Sequence, residues 1–169
     1  MNLAPQIVEN LQELASLCPK GFALGMHMRF AGAKVILLTY PSAWVEIYDA
    51  EGLLPHDPTV RWGMANDGLI DWADLPDDDP KQVMTRARAF GLCYGFTLSL
   101  TQSGSRSLMG TGRPDRPYST PEKTRIMDLV RALHDATLNC GDEMQDSLDR
   151  LSFELTHPYS FEAGSPNPR

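Results

Sequence analysis

The chain has 169 residues, of which 42% are hydrophobic and 22% charged, and its formal net charge is −7. This composition is typical of one globular domain with a substantial core, and it excludes a disordered chain. The 15 lysine and arginine residues are scattered along the sequence, which argues against direct binding to the phosphate backbone of DNA.

The first forty residues predict a helix followed by a β-hairpin. Residues 3–17 carry apolar side chains at helical spacing, and residues 19–21 end this helix with proline and glycine. Residues 22–30 and 34–40 are predicted to form two strands, with residues 31–33 as the turn between them.

Two helices and a loop follow the hairpin. Pro41 suits the first turn of a helix because it lacks an N–H and has a preset φ, and this helix ends near Gly52. Asp57 is an N-cap candidate that precedes a proline, so a short helix is predicted to run through Met64. Residues 66–80 are predicted to form an acidic loop.

The second half of the chain predicts a further helix and a second hairpin. Asp79 and Gln82 have the spacing of a capping box and open a helix that runs through Phe90. Residues 95–100 and 106–112 are strand candidates on either side of a turn that is rich in serine and glycine.

The order of these elements predicts the fold class. Thr120 begins the longest helix, so the two hairpins have helices before, between and after them. Strands joined by tight turns run in opposite directions, which favours an antiparallel sheet. We therefore predict an α/β fold of the α+β type in which helices and sheet form layers.

No catalytic, cofactor or metal motif is present in the sequence. It contains no nucleophile elbow, no zinc-protease helix motif and no glycine-rich phosphate loop. His27 alternates with Met26 and Met28 in a predicted strand and is interpreted as a structural histidine. We predict that the protein is not an enzyme and that it needs no cofactor and no metal.

Cysteine usage and the lack of a targeting segment predict the compartment. The three cysteines have no C-x-x-C spacing, which fits a reducing environment. No run approaches the roughly 18 apolar residues of a membrane-spanning helix, and the N-terminus does not have the pattern of a signal peptide. We predict a soluble cytoplasmic protein that does not associate with a membrane.

Three aromatic residues lie at helical spacing around the predicted second helix. Trp44 and Tyr48 are four residues apart on one face, and Tyr40 lies just before the helix on the same side. Each ring has an apolar body and a polar tip that needs a partner once buried. The pattern fits either a helix packed on a core or the wall of a pocket, and Asp57 could act simply as an N-cap.

These residues together resemble the autoinducer-binding domain of LuxR-type quorum-sensing receptors. The matching positions extend over about residues 5–140, and they are Trp44, Tyr48, Asp57, Pro58, Trp72, Gly91 and Gly95. The resemblance implies a three-layer α-β-α sandwich around a five-stranded antiparallel sheet. It also implies that an N-acyl homoserine lactone binds between the sheet and one helical layer.

The resemblance assigns polar roles to four residues. Trp44 would donate its indole N–H to the lactone carbonyl, and Asp57 would accept the amide N–H of the ligand. Tyr40 would donate its hydroxyl to the acyl carbonyl. Thr111 matches a position at which a small hydroxyl residue assists the same carbonyl.

The same resemblance assigns the walls of the pocket. Tyr48 and Trp72 would enclose the lactone ring and the start of the acyl chain. Large apolar residues on strands 22–30 and 95–100 predict that a medium or long acyl chain is accommodated. These residues are Phe22, Met26, Met28 and Phe96.

The end of the chain departs from the full-length receptors. Residues 1–140 are predicted to form the autoinducer-binding domain, and residues 141–169 an amphipathic helix with a mobile tail. Either this is a sensing domain that stands alone or it is a fragment of a longer receptor, and we expect no helix-turn-helix domain in this chain and no direct DNA binding. The apolar stripe of this helix would pack on its own domain or against a second subunit, and it consists of Met144, Leu148, Leu151 and Leu155.

Three functions remain open from the sequence. The first is a regulatory module that binds the lactone and acts through protein contacts, as a homodimer or as a heterodimer with a LuxR-type receptor. The second is an inhibitory heterodimer partner of a full-length receptor. The third is an enzyme or binding protein for another amphipathic small molecule.

Overall fold

The computed structural model describes residues 3–29 and 32–156, which form one five-stranded antiparallel sheet with helices on both faces. The strand order is β2-β1-β5-β4-β3. The strands are β1 (Phe22–Arg29), β2 (Gly32–Leu38), β3 (Gly68–Asp71), β4 (Tyr94–Gln102) and β5 (Ser105–Arg113). The helices are α1 (Pro5–Leu17), α2 (Ser42–Ala50), α3 (Pro58–Ala65), α4 (Val83–Arg88), α5 (Thr120–Thr137) and α6 (Glu143–Thr156).

The helices form two layers, one on each face of the sheet. The larger apolar cluster lies between the sheet and α1, α5 and α6. The smaller cluster joins α2 and α4 on the opposite face. The predicted α+β fold, a three-layer α-β-α sandwich around a five-stranded antiparallel sheet, is therefore confirmed. Within the described ranges, no helix is both long and apolar enough to cross a membrane.

The pairing of β4 with β5 decides which side chains share a face of the sheet. Phe96 lies opposite Thr111, and Thr97 lies opposite Gly110. Because directly paired residues point to the same side, the buried Phe96 places Thr111 in the layer of α1 and α5. Thr97 and Gly110 face the layer of α2, α3 and α4.

The predicted loop 66–80 contains a strand that sequence reasoning missed. Gly68–Asp71 forms β3, and a short 3₁₀ helix follows it at Trp72–Asp74. The strand has only four residues, too few for an alternating pattern to be recognised. It forms because it pairs along β4, from Gly68 opposite Ser99 onwards.

The predicted start of α4 differs from the structure in detail, whereas the predicted start of α5 is confirmed. The Asp79 carboxylate accepts the backbone N–H groups of Val83 and Met84, both at 2.9 Å. Gln82 has a left-handed backbone, so the predicted capping box is wrong, although Asp79 does satisfy the first turn of α4. Helix α5 begins at Thr120, as predicted, and Ser119 before it forms a complete capping box.

Helix α6 packs on its own domain along the edge of the sheet. Leu148 and Leu151 are buried in the larger apolar cluster. The Gln145 amide accepts the Ile36 N–H at 3.1 Å and donates to the Ile36 carbonyl at 3.0 Å. This pair of bonds satisfies backbone groups that edge strand β2 would otherwise leave open.

Some sequence predictions fall outside the described residues in whole or in part, among them the last residue of the predicted strand 22–30, Phe30. The predicted turn at 31–33 includes Ala31, and the predicted mobile tail falls on residues 157–169. Neither Ala31 nor 157–169 is among the described residues. The described part of β2 begins at Gly32.

His27 breaks the predicted alternation of β1. Its φ is +58°, and both its ring and the Met26 side chain point toward Thr137 of α5. Met28, by contrast, lines a cavity on the other face of the sheet. A left-handed residue reverses the side to which the chain points, so simple alternation through Met28 was wrong.

The His27 ring belongs to a closed network of neutral hydrogen-bonding groups. Thr137 Oγ1 donates to the Leu133 carbonyl at 2.8 Å and is therefore free to accept His27 Nε2–H, also at 2.8 Å. His27 Nδ1 then accepts the Ser105 hydroxyl at 2.8 Å. The His134 ring lies 4.6 Å away, so a proton on His27 would meet another imidazole. These contacts are consistent with a structural histidine.

We expect the free energy of unfolding to decrease as the pH falls below about 6.5. Burial and the neighbouring His134 lower the pKa of His27. As the pH falls below about 6.5, the unfolded chain therefore binds a proton at this residue before the folded chain does. A difference of one bound proton sets the upper limit of this slope, about 1.4 kcal/mol per pH unit. Urea unfolding at pH 7.5 and at pH 5 measures this slope. His27→Asn tolerates the left-handed backbone and removes the titration, so an unchanged slope in that variant would contradict the assignment.

Candidate functional site

A cavity of about 310 Å³ lies between the sheet and α2, α3 and α4. Its walls are mainly apolar, and the charged side chains that line it are those of Asp49 and Asp57. In the described part of the chain, no three His, Cys, Asp or Glu side chains come together to hold a metal ion. Five of the predicted site residues line this cavity: Tyr40, Trp44, Tyr48, Asp57 and Trp72.

Trp44 is both a core residue and a wall of the cavity. Helix α2 begins directly after Pro41, as the sequence predicted, and presents Trp44 toward the sheet with 3% of its surface exposed. Its ring packs edge-on against Tyr48, with centroids 5.8 Å apart, and at a tilt of 33° against Phe90, with centroids 5.4 Å apart. The two interpretations left open by the spacing, core packing and pocket wall, are therefore compatible.

Asp57 combines a capping role with a place in the cavity. Its Oδ1 accepts the N–H of Thr59 at 2.8 Å and the Thr59 hydroxyl at 2.7 Å, which caps α3. Its Oδ2 accepts the Tyr48 hydroxyl at 2.7 Å. A carboxylate has about four acceptor positions, so one position on Oδ2 remains for a donor in the cavity.

Tyr40 and Trp44 supply hydrogen-bond donors to the cavity. Neither the Tyr40 hydroxyl nor the Trp44 indole N–H has an acceptor among the described residues. Neither atom is completely buried by protein, so both are accessible from the cavity. The Tyr40 hydroxyl lies close to Gly110, which also lines the cavity. Burial and the nearby Asp57 raise the pKa of Tyr40 well above its usual value, so this hydroxyl stays protonated.

Trp72 is held flat against the paired strands β4 and β5. Its indole N–H donates to Thr97 Oγ1 at 3.0 Å. A Cβ on Gly95 or Gly112 would lie 2.5 or 2.6 Å from the ring, so the two glycines allow its close approach. Thr97 was missed by sequence reasoning, although its alternation with Phe96 marks it as facing away from the core.

Gly112→Ala is expected to lower the free energy of unfolding by about 1–3 kcal/mol, because the new methyl group overpacks the site. The methyl group would meet the Trp72 ring at 2.6 Å and the Leu92 backbone at 3.2 Å. Urea unfolding gives the comparison, with Gly141→Ala as the control because nothing lies within 4 Å of its Cβ position. Equal stability of the two variants would contradict this packing.

Thr111, the sixth predicted site residue, does not line the cavity. It is fully buried on the opposite face, where its hydroxyl lies 2.9 Å from the Tyr118 hydroxyl and 2.8 Å from the Gly21 carbonyl. The register of β4 and β5 causes this difference, since Gly110 and Thr97 occupy the cavity side. Thr97 is the hydroxyl residue that the sheet presents to the cavity at this level.

The residues predicted to hold an acyl chain divide in the same way. Met28 lines the cavity. The other three belong to the larger cluster beneath α1 and α5, and they are Phe22, Met26 and Phe96. Side chains alternate between the two faces of a strand, and the left-handed His27 reverses this alternation in β1. These two effects decide which of the four residues line the cavity.

Comparison with known families and curated proteins identifies related chains. A family model described as an autoinducer binding domain matches residues 20–137. The transcriptional activator protein SolR of Ralstonia nicotianae is 37% identical over 95 residues, which cover 56% of this chain and 40% of SolR. The quorum sensing-dependent transcriptional regulator RpaR of Rhodopseudomonas palustris is 31% identical over 139 residues, which cover 75% of this chain and 56% of RpaR.

Solved structures show the same fold. SdiA in complex with octanoyl-rac-glycerol superposes with a TM-score of 0.64 at 24% identity, covering 86% of this chain and 63% of the SdiA chain. The LuxR family protein CepR2 of Burkholderia cenocepacia superposes with a TM-score of 0.55 at 19% identity, covering 74% of this chain and 76% of that chain. The chain thus spans about half of the length of the curated relatives that it matches.

Proposed function

The chain belongs to the autoinducer-binding domain family of LuxR-type quorum-sensing regulators, and on that premise we propose that it binds an N-acyl homoserine lactone in the cavity. One observation carries the proposal. One apolar cavity holds two donors that have no acceptor in the described part of the chain, on Tyr40 and Trp44. Beside them lies the Asp57 carboxylate, which has a free acceptor position. The ligand has two carbonyl groups and one amide N–H, which is the complementary set.

Each polar group of the proposed ligand then has one partner. The Trp44 N–H donates to the lactone carbonyl, and the Tyr40 hydroxyl donates to the acyl carbonyl. Asp57 accepts the amide N–H in a charge-assisted bond, while Tyr48 and Thr59 hold its carboxylate in place. Trp72, held by Thr97 and the glycines beneath it, forms a rigid wall beside the head group.

Affinity and selectivity come from different parts of the ligand. Each buried CH₂ of the acyl chain contributes about 0.8 kcal/mol, so chain length controls affinity. Each hydrogen bond of the head group contributes about 1 kcal/mol, but leaving one of these buried groups unpaired costs about 1–3 kcal/mol. Molecules that lack the amide or the lactone carbonyl are therefore rejected.

The regulatory role is proposed from the relatives, whose names describe transcriptional activators and regulators and not enzymes. We take residues 1–140 as the sensing unit, with α6 of the segment 141–169 packed on it. The bound module acts through protein contacts, as a homodimer or as a heterodimer with a LuxR-type receptor. Inhibition of such a receptor is the alternative, and recovery of the longer receptor bound to this chain from the native cell would favour it.

The experiment that tests the ligand is mass spectrometry of material extracted from the protein after purification in medium containing N-acyl homoserine lactones. We expect one of these lactones to be retained. The related SdiA structure contains octanoyl-rac-glycerol, which has an acyl carbonyl but no amide N–H. Retention of a monoacylglycerol in place of the lactone would contradict the role given to Asp57.

Tyr40→Phe and Trp44→Phe are each expected to weaken lactone binding about tenfold to a hundredfold, because a ligand carbonyl is then buried without a donor. Stability without ligand should change little in Tyr40→Phe, since the hydroxyl has no hydrogen-bond partner to lose among residues 3–29 and 32–156. Isothermal titration calorimetry and urea unfolding separate the two effects. In the control Tyr118→Phe, a hydroxyl is lost on the opposite face, so stability should change and affinity should not.

A further inference from the structure

Arg106 of β5 holds the C-terminal end of α3 against the sheet. One guanidinium nitrogen, Nη1, donates to the Gly63 carbonyl at 2.8 Å and to the Asn66 carbonyl at 2.6 Å. The same nitrogen lies 3.3 Å from the Asp67 carboxylate. The last carbonyls of a helix have no partner within the helix, and a cation beside them opposes the negative end of the helix dipole. Arg106 therefore caps α3 from a neighbouring strand.

Ser99 of β4 completes this attachment. Its hydroxyl donates to the Gly63 carbonyl at 2.8 Å and accepts from Arg106 at 2.7 Å. Gly63 lies so close to the sheet that a Cβ there would be 2.8 Å from Leu108, which lines the cavity. Ser99 is buried and the Arg106 side chain is only 24% exposed, so these bonds are largely shielded from water. This end of α3 is thus fixed to two strands.

The opposite end of α3 presents Asp57 to the cavity. The helix has eight residues, so a rod of about 12 Å separates its two ends. The Thr59 N–H joins the Asp57 carboxylate to the first turn of this rod. A short hydrogen-bonded helix moves as one body, so a shift where Gly63 is held is carried to the carboxylate. Binding groups must be held within about 0.5 Å of their productive positions, which makes such a shift costly.

A second ion pair on α3 is a weaker restraint. Arg61 pairs with Asp78 at 3.3 Å, but the two side chains are 41% and 74% exposed. Asp78 belongs to the loop before α4 and not to the sheet. Exposed ion pairs contribute little, so the attachment through Arg106 determines how α3 lies on the sheet.

We propose that Arg106 is a positioning residue for the ligand site. The proposal rests on the proposed function, in which Asp57 accepts the amide N–H of the ligand. By fixing the far end of α3 to β4 and β5, Arg106 sets the position of this carboxylate relative to Tyr40 and Trp44, which hold the two ligand carbonyls. Arg106 does not line the cavity and acts on the ligand through Asp57.

Isothermal titration calorimetry of the intact protein with N-octanoyl homoserine lactone tests the proposal. Arg106→Gln should weaken binding about tenfold, because α3 is released at one end and the carboxylate moves away from the amide. The same substitution in the Asp57→Asn background should change the affinity less than about twofold, since the carboxylate that Arg106 positions is then absent. A residue that merely stabilised the fold would not show this dependence on Asp57.

Two further variants serve as controls. Arg106→Lys should remain within about threefold of the wild type, because one nitrogen makes these contacts and an ammonium group has three donors. Arg61→Gln removes the same charge from the same helix and should bind normally. If Arg106→Gln did not fold, Ser99→Ala would give the same comparison with Asp57→Asn, with an expected loss of about threefold in the wild-type background only.

Two results would overturn the proposal. An equal loss of affinity in both backgrounds would show that Arg106 supports the site in general and not the position of Asp57. Unchanged affinity of Arg106→Gln with a lower urea midpoint would show that Arg106 only stabilises α3. Failure of the proposed function itself is distinguishable, because the wild type would then bind no lactone.

Discussion

Asp57→Asn is expected to weaken the binding of N-acyl homoserine lactone about a hundredfold, which corresponds to about 2–3 kcal/mol for a lost charge-assisted bond. The Thr59 N–H requires an acceptor, so the single oxygen of the new amide takes over the cap. The amide NH₂ then occupies the position of Oδ2, next to the Tyr48 hydroxyl. There it presents a donor to the ligand N–H, and the two donors cannot bond.

The same substitution should leave the protein folded in the absence of ligand. Asparagine caps a helix about as well as aspartate, so the urea midpoint should move little. Asp49→Asn is the matched control because it removes another carboxylate from the lining of the cavity and should retain normal affinity. If thermal-shift titration gave Asp57→Asn and the wild type the same stabilisation by ligand, the proposed role of Asp57 would be refuted.

Gly21→Ala is expected to have the largest effect on stability, about 3–5 kcal/mol, from a left-handed backbone and a steric clash together. Gly21 has a φ of +84°, and a Cβ there would lie 1.9 Å from the Thr39 carbonyl oxygen and 2.8 Å from the Tyr40 nitrogen. Both neighbours are backbone atoms, so no side chain can turn away. A loss of this size is a large part of the 5–15 kcal/mol that stabilises a typical domain.

The energetic cost of the steric clash at Gly21 can be separated from the cost of its left-handed backbone by comparison with a second glycine. Gly52 has a φ of +60° and nothing within 4 Å of its Cβ position, so Gly52→Ala reports the backbone cost alone, about 1–2 kcal/mol. Urea unfolding of both variants gives the difference. Any Gly21→Ala protein that still folds should also bind ligand more weakly, because the displaced backbone carries Tyr40. Equal destabilisation of the two variants would contradict the close approach of the two chain segments.

Local patterns in the sequence were sufficient to place most of the candidate site. Trp44 and Tyr48 share a face because they are four residues apart in one helix, and Pro41 marks where that helix begins. Asp57 lies at the start of the next helix because Pro58 follows it. These relations depend on neighbours within a few residues, so they can be recognised without knowing what packs against them. The roles of these residues toward a ligand remain proposals.

Capping and strand patterns were recognised only where the local signal was strong. The long helix and both hairpins were predicted, since their apolar periodicity extends over many residues. The four-residue strand β3 was not predicted, because it forms only by pairing with β4. The left-handed His27 was also missed, since a network with Ser105 and Thr137, each more than seventy residues away, maintains it.

Periodicity and caps are local properties, so the sequence by itself determined the helices and the two hairpins, while the resemblance carried by its aromatic and acidic residues indicated the family and grouped those residues around one site. Only the tertiary structure decided that Thr97 and Gly110 face the cavity while Thr111 faces the core. It also decided that the stripe on α6 packs on its own domain. The physical reason is that a strand has two equivalent faces, and the partners that bury one of them are distant in sequence.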